Sequence, residues 1–140
     1  MKIFHVAAAV IRREGRVLLC GRRPDSELSE YYEFPGGKME GGETLPDCLR
    51  REMTEELGTD VYVLDPLGEH RVELGERAYH LHFLRAVIRP GFPEPAPKEG
   101  QAMAWVETAR LDQVRMLPGD VHIASWLAEG EKRNFPNRGQ

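Results

Sequence analysis

Residues 36–58 read GGKMEGGETLPDCLRREMTEELG, and their second half carries the marks of a helix. Pro46 falls in a first turn, where its missing N–H removes no hydrogen bond. Good helix formers fill the interior, and Gly58 stands where a C-cap wants a left-handed residue. A helix is therefore predicted over residues 44–58. At about 100° per residue, Glu52, Glu55 and Glu56 share one face within roughly 100° of arc. Leu49, Met53 and Leu57 form the neighbouring stripe, the part that should pack on a sheet. Three carboxylates thus lie at the border of the core, where like charges repel more than they do in free solvent. Arg51 is one compensator, too little for these three plus Glu33, Glu40 and Glu43 nearby. A hard divalent cation such as Mg²⁺, which binds all-oxygen ligand sets, is the economical partner.

A Glu-Glu pair on a helix reads by itself as a solvated face. The loop before it changes that reading. Residues 33–43, EFPGGKMEGGE, hold four glycines and three glutamates in eleven positions. Gly36, Gly37, Gly41 and Gly42 permit close approaches that side chains forbid, so backbone carbonyls and amides can line the same cavity as the helix carboxylates.

The rest of the chain supplies a sheet. Residues 3–12 and 16–22 read as strands around the hairpin signal Glu14-Gly15. Residues 23–33 read as a loop, and residues 60–74 and 77–88 as two strands around a turn at Gly75. RPGFPEPAPKEG, residues 89–100, holds four of the ten prolines and is an exposed connection. Residues 102–108 form a last strand, and 120–130 a closing helix with Gly119 or Asp120 at its N-cap. Residues 131–140 read as a polar, frayed tail after one domain spanning 1–130. Strands on both sides of a central helix, with another helix at the end, predict a mixed sheet between helices, an α/β protein.

At 140 residues, 41% of them hydrophobic and 30% charged, the chain suits one core. A net charge of −4 argues against binding a nucleic-acid polymer but not against a nucleotide whose phosphates a metal masks. Cys20 and Cys48 lack metal-ligand spacing and read as buried thiols, with a disulfide as the alternative. The N-terminal apolar run is too short for a membrane span or signal peptide, so a cytoplasmic protein is expected.

Gly37, Glu43, Arg51, Glu52, Glu55, Glu56 and Gly58 fall at the spacing of the Nudix box, a match expected by chance on the order of 10⁻⁸ per start site. The chain resembles the Nudix hydrolases, with Thr59 departing where the pattern prefers an aliphatic residue. GRRP before the box and KEGQAMAWV after it look like the MutT-type branch, the nucleoside triphosphate pyrophosphohydrolases. The resemblance implies an α/β/α sandwich and Mg²⁺- or Mn²⁺-dependent hydrolysis of a nucleoside triphosphate to a monophosphate and pyrophosphate. It assigns the metal to Glu52, Glu55, Glu56 and the Gly36 carbonyl. Arg51 orients a box glutamate, and Glu43 supports the loop or the metal shell. Glu99, in the loop before the last strand, reaches the same metal. Gly37 and Lys38 approach the substrate. Glu52, Glu55 and Glu99 are candidates for the base that takes a proton from water.

Substrate choice is less sharply written. Arg23 reads as a phosphate or base contact, or as a strand-end charge. Tyr32 and Phe34 pack on a base or fill the core edge. Asp120 stands where relatives of this type read the base: ionised, it accepts from an amino group such as cytosine N4, and protonated, it donates to an oxidised purine. His80 and His82 share a strand face and read as lining or packing rather than as metal ligands. A dinucleoside polyphosphate or sugar nucleotide as substrate, and a non-catalytic nucleotide sensor, are the alternative readings. A monomer or homodimer is expected, with no membrane partner.

Overall fold

The structure is a computed structural model that describes residues 1–134. Strands β1 (Lys2–Arg13) and β2 (Arg16–Gly21) form a hairpin whose turn residues Glu14 and Gly15 both have positive φ, 50° and 76°. That turn matches the twist of the strands it joins. Two short strands follow, β3 (Tyr32–Glu33) and β4 (Gly36–Lys38), then helix α1 (Leu45–Leu57). The long hairpin β5 (Val61–Leu74) and β6 (Arg77–Ile88), strand β7 (Met103–Glu107) and helix α2 (Val121–Asn134) complete the order. Short 3₁₀ turns at Thr108–Gln113 and Pro118–Asp120 lead into α2.

The sheet runs β3-β2-β1-β6-β5, with β4 also paired to β1 and β7 to β2. β1 and β6 are parallel and the other pairs antiparallel, so the sheet is mixed. Period-two alternation splits β1 between two cores. Ala7, Ala9 and Ile11 pack with Leu49, Met53 and Leu57 of α1. Ala8 and Val10 pack with Phe83 and with Ile123, Ala124 and Leu127 of α2. The α/β/α sandwich is the result. Cys20 and Cys48 are buried free thiols, and burial pushes them up to about 12 and about 11.

Three local readings change. Residues 32–33 are a strand rather than the end of a loop. Gly36–Lys38 is also a strand, hidden because glycine weakens strand propensity. Glycine is there for space: a Cβ on Gly36 would overlap the Ala7 carbonyl oxygen. α2 runs on to Asn134, four residues into the expected tail, because Glu131 is buried and accepts a hydrogen bond from Arg12 at 2.7 Å. The remainder of that tail, 135–140, lies outside the described residues. No described helix is long and apolar enough to cross a membrane.

Candidate active site

Helix α1 sets the geometry. Thr44 caps its first turn, accepting from the Asp47 N–H at 3.2 Å, and Gly58 closes it with φ +64°. The carbonyls left over at its C-terminal end are used to dock the proline-rich loop. Ala96 N–H donates to the Leu57 carbonyl at 3.0 Å, Lys98 N–H to that of Glu56 at 2.9 Å. Gln101 Nε2 donates to the Glu56 carbonyl at 3.0 Å while its Oε1 accepts the Glu99 N–H at 2.8 Å. The loop thus holds Glu99 beside Glu56.

Arg51 organises the acidic side. Its Nε and Nη2 fork onto Glu43 at 2.6 and 3.0 Å, while Nη1 reaches Glu52 at 2.9 Å and Glu55 at 3.3 Å. Nη2 also donates to the Lys38 carbonyl at 3.1 Å, tying the glycine loop to the helix. Glu43 accepts the Glu40 N–H at 2.8 Å as well, and these donors hold its carboxyl below the usual range. With both oxygens engaged, Glu43 anchors Arg51 and the loop.

Glu52 lies directly over Gly37, where a Cβ would stand 2.5 Å from its carboxyl carbon. Burial raises Glu52 against the lowering effect of Arg51, and its side chain is hydrogen-bonded to Glu56. Glu56 is pushed up to about 8, by burial first and then by the charge of Glu52, with Glu33 and Glu99 adding to it. No lysine, arginine or histidine among the described residues forms an ion pair with Glu56. The two carboxyls stand side by side with no cation paired to Glu56, and the donor set is oxygen throughout. That fits a hard divalent cation. Glu55 is more exposed and lines a separate groove with Arg50, Thr54 and Arg89, so it stands at the rim.

Two cavities meet at this cluster. A small one of about 130 Å³ is lined by Arg22, Arg23, Glu33, Glu56, Glu99 and Gln101. A larger one of about 500 Å³ shares Arg22, Glu33 and Glu56 with it and continues past Gly36, Gly37 and Lys38 to Leu81, Leu117 and Asp120. Arg23 pairs with Glu99 at 3.4 Å. Phe34 is buried and meets Phe83 edge-on at 5.8 Å, so its ring belongs to the core although it borders the larger cavity. Asp120 lines the larger cavity, only 8% exposed, and its Oδ2 accepts the Phe34 N–H at 3.0 Å. Burial pushes it up to about 7 despite that hydrogen bond. Its partner is therefore an amide 86 residues away and not a helix N-terminal N–H.

Arg22, Glu33 and Gln101 are functional candidates that sequence reasoning did not single out. Glu33 pairs with Arg22 at 2.8 Å and, despite it, is raised by burial. Its presence among six clustered glutamates was a visible signal. Nothing in the sequence marks Gln101.

The NUDIX domain family profile matches residues 1–127. The chain belongs to the Nudix family. It is similar to the CTP pyrophosphohydrolase of Escherichia coli, 34% identical over 88% of this chain and 90% of that one. It is also similar to the 8-oxo-dGTP diphosphatase of Haemophilus influenzae, 33% identical over 96% and 97%. Among solved structures, the E. coli ORF135 protein superposes with a TM-score of 0.79 at 31% identity, covering 100% of this chain and 96% of that one. Nudix hydrolases are enzymes that generally use divalent metal cations, in keeping with the oxygen cluster on α1.

Proposed function

We propose that this Nudix hydrolase cleaves a nucleoside triphosphate, with an unmodified or oxidised base, to a nucleoside monophosphate and pyrophosphate, and so sanitises the cytoplasmic nucleotide pool. One observation carries the reading: the carboxylate cavity and the larger cavity share Arg22, Glu33 and Glu56, and the larger one is also lined by the buried carboxyl of Asp120. A carboxylate-rich part suited to metal-bound phosphates and a lining that includes Asp120, suited to a base, are thereby joined. The names of the two relatives support the same substrate class.

Glu52, Glu56 and Glu99, with the Gly36 carbonyl, would hold Mg²⁺ or Mn²⁺, and Glu55 would join from the rim. When bound, such a cation neutralises charge developing on bridging and leaving phosphate oxygens. Arg51 fixes Glu52 and draws the glycine loop against α1. Gly37 and Lys38 bring main chain to the phosphate end, and Arg23 stands beside Glu99 to meet a phosphate. Glu52, Glu55 and Glu99 are the candidates for accepting the proton of the attacking water, and the Gln variant of each separates them by the loss in kcat. Asp120 reads the base, accepting from an exocyclic amino group when ionised and donating when protonated.

The test is Mg²⁺-dependent hydrolysis of 8-oxo-dGTP, dGTP, CTP, dCTP, 5-methyl-dCTP, ADP-ribose and diadenosine tetraphosphate, read by separating the nucleotide products and compared as kcat/KM, with pyrophosphate as the second product of the triphosphates. Preference for one of the triphosphates is the expected result. Turnover confined to ADP-ribose or the dinucleotide would overturn it.

A further inference from the structure

Away from the glutamates, the sheet collects three histidines that no step above uses. The parallel register places His5 of β1 beside His80 of β6, and Ala7 beside His82. Residues two apart on a strand share a face, so all three imidazoles project on the side of the sheet that Ala7 presents to α1. His5 Nδ1 lies 3.0 Å from His82 Nε2. The His80 and His82 rings stack at 4.4 Å with 7° between their planes, and the His5 ring lies 5.4 and 5.3 Å from them. One ring nitrogen from each histidine falls within 4.8 Å of the other two. On β5, Glu69 faces the same group, its Oε1 at 3.1 Å from His82 Nδ1 and from His80 Nε2.

We propose that His5, His80 and His82 form a second metal site, for a borderline transition-metal ion of the Zn²⁺ class, separate from the Mg²⁺-type glutamate centre. Three imidazoles are the donor set such ions select, and hard Mg²⁺ does not. Tetrahedral coordination at about 2.0–2.1 Å puts ligand nitrogens about 3.4 Å apart. His5 Nδ1 and His82 Nε2 already stand near that spacing at 3.0 Å, and the His80 ring must turn out of its stack on His82 to join them. Glu69 completes the design. Its Oε1, 3.1 Å from His82 Nδ1 and hydrogen-bonded to His80 Nε2, leaves His82 Nε2, the atom facing His5, and His80 Nδ1 as the metal donors, the arrangement in which a carboxylate orients a ligating histidine. His5 and His80 stay open enough to admit an ion, with His80 about 31% exposed in its side chain. A bound ion would tie the central parallel pair β1–β6 where the His5 carbonyl accepts the Met39 N–H at 2.8 Å, directly after β4.

The experiment is a Zn²⁺ titration by calorimetry in excess Mg²⁺, which keeps the glutamates occupied, with Co²⁺ substitution read by its visible absorption. The expected result is one equivalent bound, a rise in thermal unfolding temperature, and an affinity at least tenfold weaker in His82→Gln and in the exposed-end variant His5→Gln. Both variants should keep Mg²⁺-dependent pyrophosphate release, which also shows that they fold. Binding weaker than about 100 μM in wild type would overturn the proposal. So would binding unchanged in both histidine variants but lost in Glu56→Gln, because the ion would then sit at the glutamates.

Discussion

Arg51 is the residue on which the acidic site turns. Its guanidinium serves Glu43, Glu52 and Glu55 together, a fork that a lysine ammonium cannot reproduce. Arg51→Lys is expected to lower kcat by about 10- to 100-fold and to weaken the apparent Mg²⁺ affinity, measured by Mg²⁺ titration of pyrophosphate release. Asp120 gives a pH prediction. It ionises near 7, so its acceptor form gains above that pH and its donor form below it. The ratio of kcat/KM for CTP over 8-oxo-dGTP should rise through pH 7, since the metal centre common to both substrates cancels. Asp120→Asn should flatten that ratio. The sign for stability is the reverse of a salt-bridged carboxylate. A group raised in the folded state favours folding below its unfolded value near 4, and that contribution is lost as pH rises through about 7. Asp120→Asn should therefore melt later than wild type at pH 8, by on the order of 1–2 kcal/mol. The glutamates of α1 were legible because spacing on one helix places them. The state of Asp120 was not, because it arises from burial beneath residues distant in sequence.

At the scale of elements, α1 was readable to its caps, since Thr44, Pro46 and Gly58 each act within one turn of the chain. Strand β4 was not readable, because its glycines are chosen for contact with β1 and α1 and not for strand propensity. Gly37 makes this testable. A Cβ there would stand within 2.5–2.8 Å of the Glu52 carboxylate, so Gly37→Ala must displace that side chain. The variant is expected to lose kcat by about tenfold or more while its melting temperature changes little, because the pressure falls on the end of a side chain and not on the packed core. Wild-type kcat with a large stability loss would contradict this. The docking of the proline loop onto the α1 carbonyls was equally hidden, since hydrogen bonds between main-chain groups leave no mark on residue identity.

For the whole molecule, strands on both sides of a central helix, with another helix at the end, were enough to foresee a mixed sheet between helices, and the two cores on either side of it are the outcome. Strand order, the β1–β6 parallel pairing and the gathering of His5 with His80 and His82 are set by topology that single-strand patterns do not contain. The central claim is global as well: the proposal that a carboxylate cluster would hold a divalent cation, joined to a cavity of about 500 Å³ that Asp120 also lines. It is tested most directly by pyrophosphate release from CTP and 8-oxo-dGTP across a Mg²⁺ titration, in wild type and Glu56→Gln. The account predicts metal-dependent formation of monophosphate and pyrophosphate, reduced at least about 100-fold in a variant that stays folded. Turnover independent of Mg²⁺, or full activity in Glu56→Gln, would contradict it.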